Sequence, residues 1–352
     1  MMLRLVFGLF LFSTISYSSP EFGDPSSESY DNKKFEPGKM IMHHILDSHE
    51  WHVFDWKGKA FSIPLPIIIY HETRGLSVFV SSRFNHGYDA YKGYMMDHGN
   101  IICVNETGEL DQNETNKIWD FSITKNVFSL FFSIIVLLSI FLTISKKYNV
   151  RANRAPSGLQ SFLEPIIIFI RDDIAKSAIG EKDYQRYLPF LLTVFFFIFF
   201  NNLLGLVPLF PGGANLTGNI AVPMVMSAMV FIITTLSGKK YYWKHIFAMP
   251  GVPKPVLLIL TPIEIFGVLL KPLVLMIRLF ANITAGHIII LSFLSMIFIF
   301  GEMHPAAGYG VSIFSGMFVL FMLTLELLVA FLQAYVFTLL AAMYFGSAVE
   351  EH

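Results

Sequence analysis

The sequence predicts an all-α integral membrane protein: a polytopic bundle with two long, tilted, polar-striped helices, preceded by a small extracytoplasmic N-terminal segment rich in short strands. Three observations predict it. Of the 352 residues 54% are hydrophobic and only 14% charged, whereas an ordinary soluble domain carries about 25% charged residues. Several charge-free runs reach the ~20 residues a helix needs to cross ~30 Å of hydrocarbon. Lysine and arginine gather directly after some of these runs, as they do on the cytoplasmic side of a membrane. The formal net charge of −1 gives no hint of nucleic-acid binding, and the single cysteine, Cys103, excludes an internal disulfide framework or a cysteine-based zinc site.

Residues 1–18 read as an export signal. Arg4 is the basic end, Leu5–Phe12 the apolar core and Ser16-Tyr17-Ser18 a small-x-small cleavage site. The competing reading, an uncleaved anchor helix, meets a core too short to span ~30 Å of hydrocarbon. Residues 19–125 then form a polar, aromatic-rich segment placed outside the cytoplasm by that signal. Its alternating stretches "HEWHVFDW" and "LSVFVSS" predict short strands. It holds seven of the 11 histidines. His43, His44, His49 and His52 are close enough to suggest a metal site, but no carboxylate or cysteine stands at firm ligand spacing, so ordinary surface or packing histidines are expected.

The polytopic domain covers residues 126–352. Val127–Ser145 is a charge-free span followed at once by Lys146, Lys147, Arg151 and Arg154, which mark a cytoplasmic end. Leu159–Ala178 mixes isoleucines with Glu164, Arg171, Asp172, Asp173 and Lys176, as a helix lying at the interface would. A second span, Tyr187–Val207, leads to the turn-rich loop "PLFPGGANLTGN", expected to face outside. A third, Ile220–Ser237, returns the chain to "GKKYYWKH" on the cytoplasmic side. Val256–Phe300 is overlong: its 45 residues would extend ~67 Å as one helix. It must be steeply tilted, broken or folded back, with Pro262, Gly267 and Pro272 as candidate break points. After the turn "GEMHPAAGYG", Val311–Phe345 is again overlong and ends in a C-terminus placed in the cytoplasm.

Charge reappears inside these two long segments. Glu264, Lys271 and Arg278 are spaced by seven and Asn282 follows by four, which puts all four on one stripe of a helix, while His287 falls on the opposite face. Glu326 and Gln333 are likewise seven apart on the last segment. An arginine at mid-bilayer costs between ~2.5 and ~17 kcal/mol, depending on the reference state. The structural reading pairs Arg278 with Glu264 or Glu326 and lets Lys271 snorkel. Buried pairs rarely add net stability over apolar packing, however. A permanently charged arginine beside groups that titrate is the equipment of a proton path.

These residues carry a family resemblance. "KPLVLMIRLFANITAGH" resembles the arginine helix of subunit a of the F-type ATP synthase, the stator of its membrane motor. "LLVAFLQAYVFTLLAAMYF" resembles that family's last helix, and "NNLLGLVP", which contains Asn202, the end of its second span. The chain looks like a bacterial type with a long exported N-terminal segment, and the resemblance covers about Val127 to His352. It implies that Arg278 faces a ring of c subunits, each with one mid-membrane carboxyl group, between two offset aqueous half-channels. Glu264 matches the acid before the arginine, Asn282 the asparagine after it and Gln333 the glutamine of the last helix. His287 and Glu326 match a titratable pair used in either order, here the mitochondrial one, while Lys271 and Asn202 are supporting positions. Gly205 stands where some bacterial members have an aspartate, and the family pattern has no counterpart for residues 19–125.

The resemblance implies a non-catalytic, proton-translocating subunit without cofactor or metal. Its partners would be the c-ring, peripheral-stalk b subunits and, indirectly, the soluble catalytic head, in an inner-membrane complex. His287 favours protons over sodium, because imidazole has no use in an oxygen-only sodium site. Two other classes stay open at this point. A proton-coupled secondary transporter would usually show repeated halves with discontinuous helices, and none is visible. An intramembrane hydrolase would need a nucleophile or metal constellation such as HExxH, which does not occur.

Overall fold

The structure is a computed structural model that describes residues 37–56, 59–97, 99–105, 108–150, 155–207, 210–249 and 252–350. The export signal read at residues 1–18 lies outside them. Element order is α1 (Pro37–Ile45), β1 (Glu50–Trp56), β2 (Lys59–Pro64), β3 (Pro66–His71), β4 (Gly75–Val80), a 3-10 turn (Ser81–Gly87), β5 (Tyr94–Asp97), β6 (Asn100–Cys103), α2 (Gln112–Thr115) and β7 (Ile118–Asp120). Helices follow: α3 (Lys125–Val150), α4 (Leu159–Phe169), a π-helical stretch (Ile170–Lys176), α5 (Ser177–Ile179), α6 (Tyr184–Leu206), α7 (Ala221–Ser237), α8 (Lys240–Phe247), α9 (Lys254–Met303) and α10 (Pro305–Val349). The all-helical membrane part and the strand-bearing N-terminal part both match expectation. Among the described residues four helices, α3, α6, α9 and α10, are long and apolar enough to cross a membrane, and α7 with α8 makes a fifth candidate bent by 104°.

The chain forms two compact units. The first comprises the residues up to Leu130 with Val207–Asn215 and Gly286–Leu323. Its three-stranded antiparallel sheet has the order β4-β3-β7, and two hairpins, β1-β2 and β5-β6, stand beside it in sequence. Alternation along β3 turns Ile67, Ile69 and His71 inward, onto Phe79, Phe84, Tyr94, Ile101 and Cys103. Burial pushes the Cys103 thiol up, so it sits in this core as a small hydrophobe. The strands are fastened to the start of α3. The Asp47 carboxylate accepts from the Asn126 backbone at 3.0 Å and from the Thr124 hydroxyl at 2.7 Å, and the Ser48 carbonyl accepts from Lys125 N at 2.8 Å. Two of the helix's open N–H groups are thereby satisfied by a loop 79 residues upstream.

In the same unit, α9 and α10 reverse direction around His304. Phe293 stacks on Phe318 with ring centroids 3.9 Å apart, the Ser315 hydroxyl donates to the Phe293 carbonyl, and a Cβ on Gly308 would meet Gly301 Cα at 2.8 Å. The ten-residue turn expected at residues 301–310 is therefore a break of one residue between two helices. Close approach of Gly301 and Gly308 makes that possible, because two backbones can meet only where side chains are missing.

The second unit comprises Phe131–Leu206, Leu216–Ala285 and the residues from Thr324 on. Here α10 buries a row of small residues, Ala330, Ala334, Ala341, Ala342 and Ala348, as helices packed within a membrane do. Tyr187 of α6 stacks on Phe345 of α10 at 4.9 Å, and Gly346 passes so close to the Ala178 carbonyl that a Cβ would collide with it. The α4–α5 stretch carries the mixed faces expected of it. Ile170, Ile174, Ala175 and Ile179 are buried, while Asp172 pairs with Arg171 at 2.7 Å and Lys176 at 2.9 Å. Hydrogen bonds from Arg171 and Lys176 hold the Asp172 carboxyl well below the usual carboxylate range.

α9 runs unbroken through Pro262, Gly267 and Pro272, so its 50 residues, about 75 Å at 1.5 Å each, need a steep tilt. A proline removes one intrahelical hydrogen bond, and the rest of the ladder carries the helix past it. The segment read as an outer loop is also less open than its turn residues suggest: Ala214, Asn215, Leu216 and Thr217 are all buried.

Candidate functional site

The predicted residues lie on α6, α9 and α10. On α9 the expected polar stripe is present, but its two ends differ. Glu264 and Lys271 are half-buried, and the Lys271 ammonium sits over the Tyr344 ring of α10, 5.4 Å from its centroid. Lys271 therefore makes a cation–π contact inside the second unit. Arg278 and Asn282, further along, are exposed. They share their face with Val274, Ala281 and Ala285, also exposed, while Leu275 and Leu279 on the adjoining flank are buried.

Among the described residues no ion pair joins Arg278 to Glu264 or to Glu326, so the pairing that a purely structural purpose requires is missing. Glu326 is buried at 9% exposure, and neither of its carboxyl oxygens has a hydrogen-bond partner among the described residues. Gln333, one heptad on, is buried on the same face, with Ala330 between them. His287 is half-buried in the first unit. The structure thus keeps α10's polar groups inside the second unit and turns α9's arginine outward.

Asn202 ties α6 to this region. Its amide donates to the Ala330 carbonyl at 3.4 Å, and its oxygen accepts from the Thr217 hydroxyl at 2.7 Å. The neighbouring Asn201 amide donates to the Phe197 carbonyl at 2.8 Å. Buried amides held this way fix the separation of α6 and α10 beside Glu326. Thr217, Thr338 and Tyr344 were not foreseen. Thr338 is fully buried and its hydroxyl has no partner among the described residues, and Tyr344 shares a small water-sized cavity with Thr234, Tyr242 and Lys271. Threonines and tyrosines in apolar runs give no sequence signal to separate them from packing.

The histidine group of the N-terminal part resolves differently. His49 Nε2 lies 3.0 Å from Asp120. Although burial pushes the Asp120 carboxyl up, the His49 hydrogen bond and charge, with bonds from Ser122, hold it below its ordinary value. His71 is fully buried and bonds the Glu114 carbonyl and Thr73. The side chains of His43, His44 and His52 lie outside the described ones, and among those described no group of three His, Cys, Asp or Glu could hold a metal.

Comparison with known proteins identifies the family. Residues 127–346 match the family described as ATP synthase A chain, and residues 40–121 match a family described as a domain of unknown function. The chain is 43% identical over 243 residues to ATP synthase subunit a of Chlorobium phaeobacteroides (strain BS1), covering 66% of this chain and 68% of that one. It is 41% identical over 240 residues to ATP synthase subunit a of Chloroherpeton thalassium, covering 66% and 69%. A third relative, ATP synthase subunit a of Anaeromyxobacter sp. (strain Fw109-5), is 38% identical over 264 residues, covering 72% and 60%. With its arginine helix, its buried acid on the last long helix and this match across the whole polytopic part, the chain is a multi-pass membrane protein that belongs to the ATP synthase A chain family.

Proposed function

We propose that the chain is the proton-conducting stator subunit of a rotary F-type ATP synthase, non-catalytic in itself, coupling proton flow to rotation of a c-ring. The observation that carries this reading is the outward-facing Arg278, which among the described residues makes no ion pair to Glu264 or Glu326. A guanidinium on a helix of membrane-spanning character needs a counter-charge, and an exposed one takes it from another subunit. Ala281 and Ala285 on the same face leave room for a neighbouring helix to approach closely.

The mechanism follows from electrostatics at low dielectric. A ring carboxylate rotating past lipid must be neutral, since burying an ion costs several kcal/mol even after relaxation. Arg278 favours the ionised form only where the ring meets this subunit. A proton therefore leaves to one half-channel before the site passes Arg278 and another enters from the other channel afterwards. His287 and Glu326 relay protons on one path, Glu264 lines the other, and Asn282, Gln333, Lys271 and Asn202 position them. The N-terminal part, residues 19–125, lies outside the cytoplasm and the C-terminus inside; peripheral-stalk b subunits hold the stator. The family match leaves the secondary-transporter alternative without support.

The test is ATP-driven proton pumping in inverted vesicles. Arg278→Ala abolishes pumping while the complex still assembles, and Arg278→Lys fails nearly as badly, because a buried lysine loses its proton. Substantial pumping by the alanine variant overturns the reading.

A further inference from the structure

The β4-β3-β7 sheet covers the N-terminal core with one face and leaves the other open. Register fixes the open face: Ile68 lies opposite Val78, Tyr70 opposite both Leu76 and Trp119, and Pro66 opposite Val80, with Phe121 beside Ile68. An antiparallel sheet with one solvated face alternates apolar inward and polar outward. Here both faces are apolar. Tyr70, Leu76, Val78, Val80, Trp119 and Phe121 are between 44% and 67% exposed, and no charged residue interrupts them. An apolar patch of this kind on a folded domain marks an interaction surface.

The order of residues across the face points to its occupant. The strand of β7 continues past Phe121, with Ile123 N bonding the Pro66 carbonyl at 3.0 Å, and enters α3 at Lys125. Counted outward from that helix, the first rows are aliphatic and Phe, with Val80, then Val78 and Phe121. The next is aromatic, with Tyr70 and Trp119 beside Leu76. Beyond it, at the β3–β4 turn, comes the exposed charge of Glu72. Hydrocarbon, then Tyr and Trp, then charge is the depth order of a membrane–water interface. A protein-binding patch instead centres its aromatic anchors and surrounds them with a polar rim.

We propose that the open face of this sheet rests in the headgroup–acyl boundary of the leaflet at which α3 begins, making the N-terminal domain a membrane-surface module. Rows about 7 Å apart cross an interfacial zone of about 5–8 Å per leaflet with the strands oblique to the surface. The Asp47 clamp on Asn126 and the Ser48–Lys125 bond hold the domain at the helix start, so apposition needs no further ordering. Neither the family assignment nor the proton path enters this argument.

The experiment uses the assembled complex in liposomes of phosphatidylethanolamine and phosphatidylglycerol, on a background without other reactive cysteines; Cys103 is fully buried and escapes labelling. Spin labels at Val78→Cys, Leu76→Cys and Glu72→Cys are read for collision with oxygen, which concentrates in lipid, and with a water-soluble nickel chelate. The expected result is an oxygen-to-nickel ratio several-fold higher at position 78 than at 72, with 76 between them. Equal ratios at all three positions show a face open to water and overturn the proposal. An immobilised label shielded from both reagents shows a protein partner in place of lipid, and also overturns it. If Val78→Cys fails to assemble, Val80→Cys occupies the same aliphatic end and gives the same comparison.

Discussion

Glu326 is costly to the second unit: an acid taken out of water with neither oxygen bonded among the described residues. Such a group is tolerated where proton exchange is its purpose. Glu326→Gln keeps the shape and removes the exchangeable proton. We expect the assembled complex to melt no lower than the parent, while ATP-driven pumping falls at least about tenfold, the scale of ~1.4 kcal/mol on a barrier. A melting point lowered together with pumping would mark Glu326 as structural. The relay has its own test. His287→Glu and Glu326→His each place two like groups on one path, and like groups split each other's titrations. Both singles are expected to pump poorly and the double swap to recover part of the activity; a double no better than the product of the singles shows that they act independently. At this scale Arg278, Glu326 and Gln333 were legible because charge or amide in an apolar run is conspicuous. Thr217, Thr338 and Tyr344 were not, since only the fold tells a bridging hydroxyl from a packing one.

At the scale of elements, the two overlong helices were visible as length, but their course was not. Pro262 and Pro272 are local penalties, and continuity is decided by what packs along the whole helix. The sharp reversal at His304 depends on Gly301 meeting Gly308, a pairing across two helices that neither glycine announces alone. Glycines along the same pair of helices should accordingly answer substitution in opposite ways. Gly346→Ala drives a methyl into the Ala178 carbonyl, and overpacking of this kind costs about 1–3 kcal/mol. A methyl on Gly267 would meet no atom within 4 Å, so Gly267→Ala is expected to be neutral or to strengthen α9. Yield of assembled complex and its melting temperature distinguish the two; equal behaviour would mean that Gly346 has room the geometry denies it.

Over the whole molecule, strands ahead of long helices were readable from composition, because polar alternation gives way abruptly to charge-free runs; the compact units were not, since Val207–Asn215 and Gly286–Leu323 join the residues up to Leu130. How the N-terminal part is fixed was not, since Asp47 and Asn126 lie 79 residues apart. Asp120, held below its ordinary value, contributes stability that is fully present above the unfolded carboxylate value of about 3.9 and lost as pH falls through the lower folded one. Hydrogen exchange of β3 and β7 is therefore expected to stay slow down to about pH 4 and to quicken below it. In Asp120→Asn that acid-induced step shrinks; an unchanged step assigns the acid sensitivity to another group.

The Asp47 clamp also sets an order of events during synthesis. The residues that cap α3 leave the ribosome before the helix they cap, and under the proposed topology they cross the membrane first. Lys125 and Asn126 find their partners only when the preceding strands have reached the far side and folded there. A chain inserted the wrong way round keeps α3 uncapped, so the clamp rewards correct orientation at the moment of insertion.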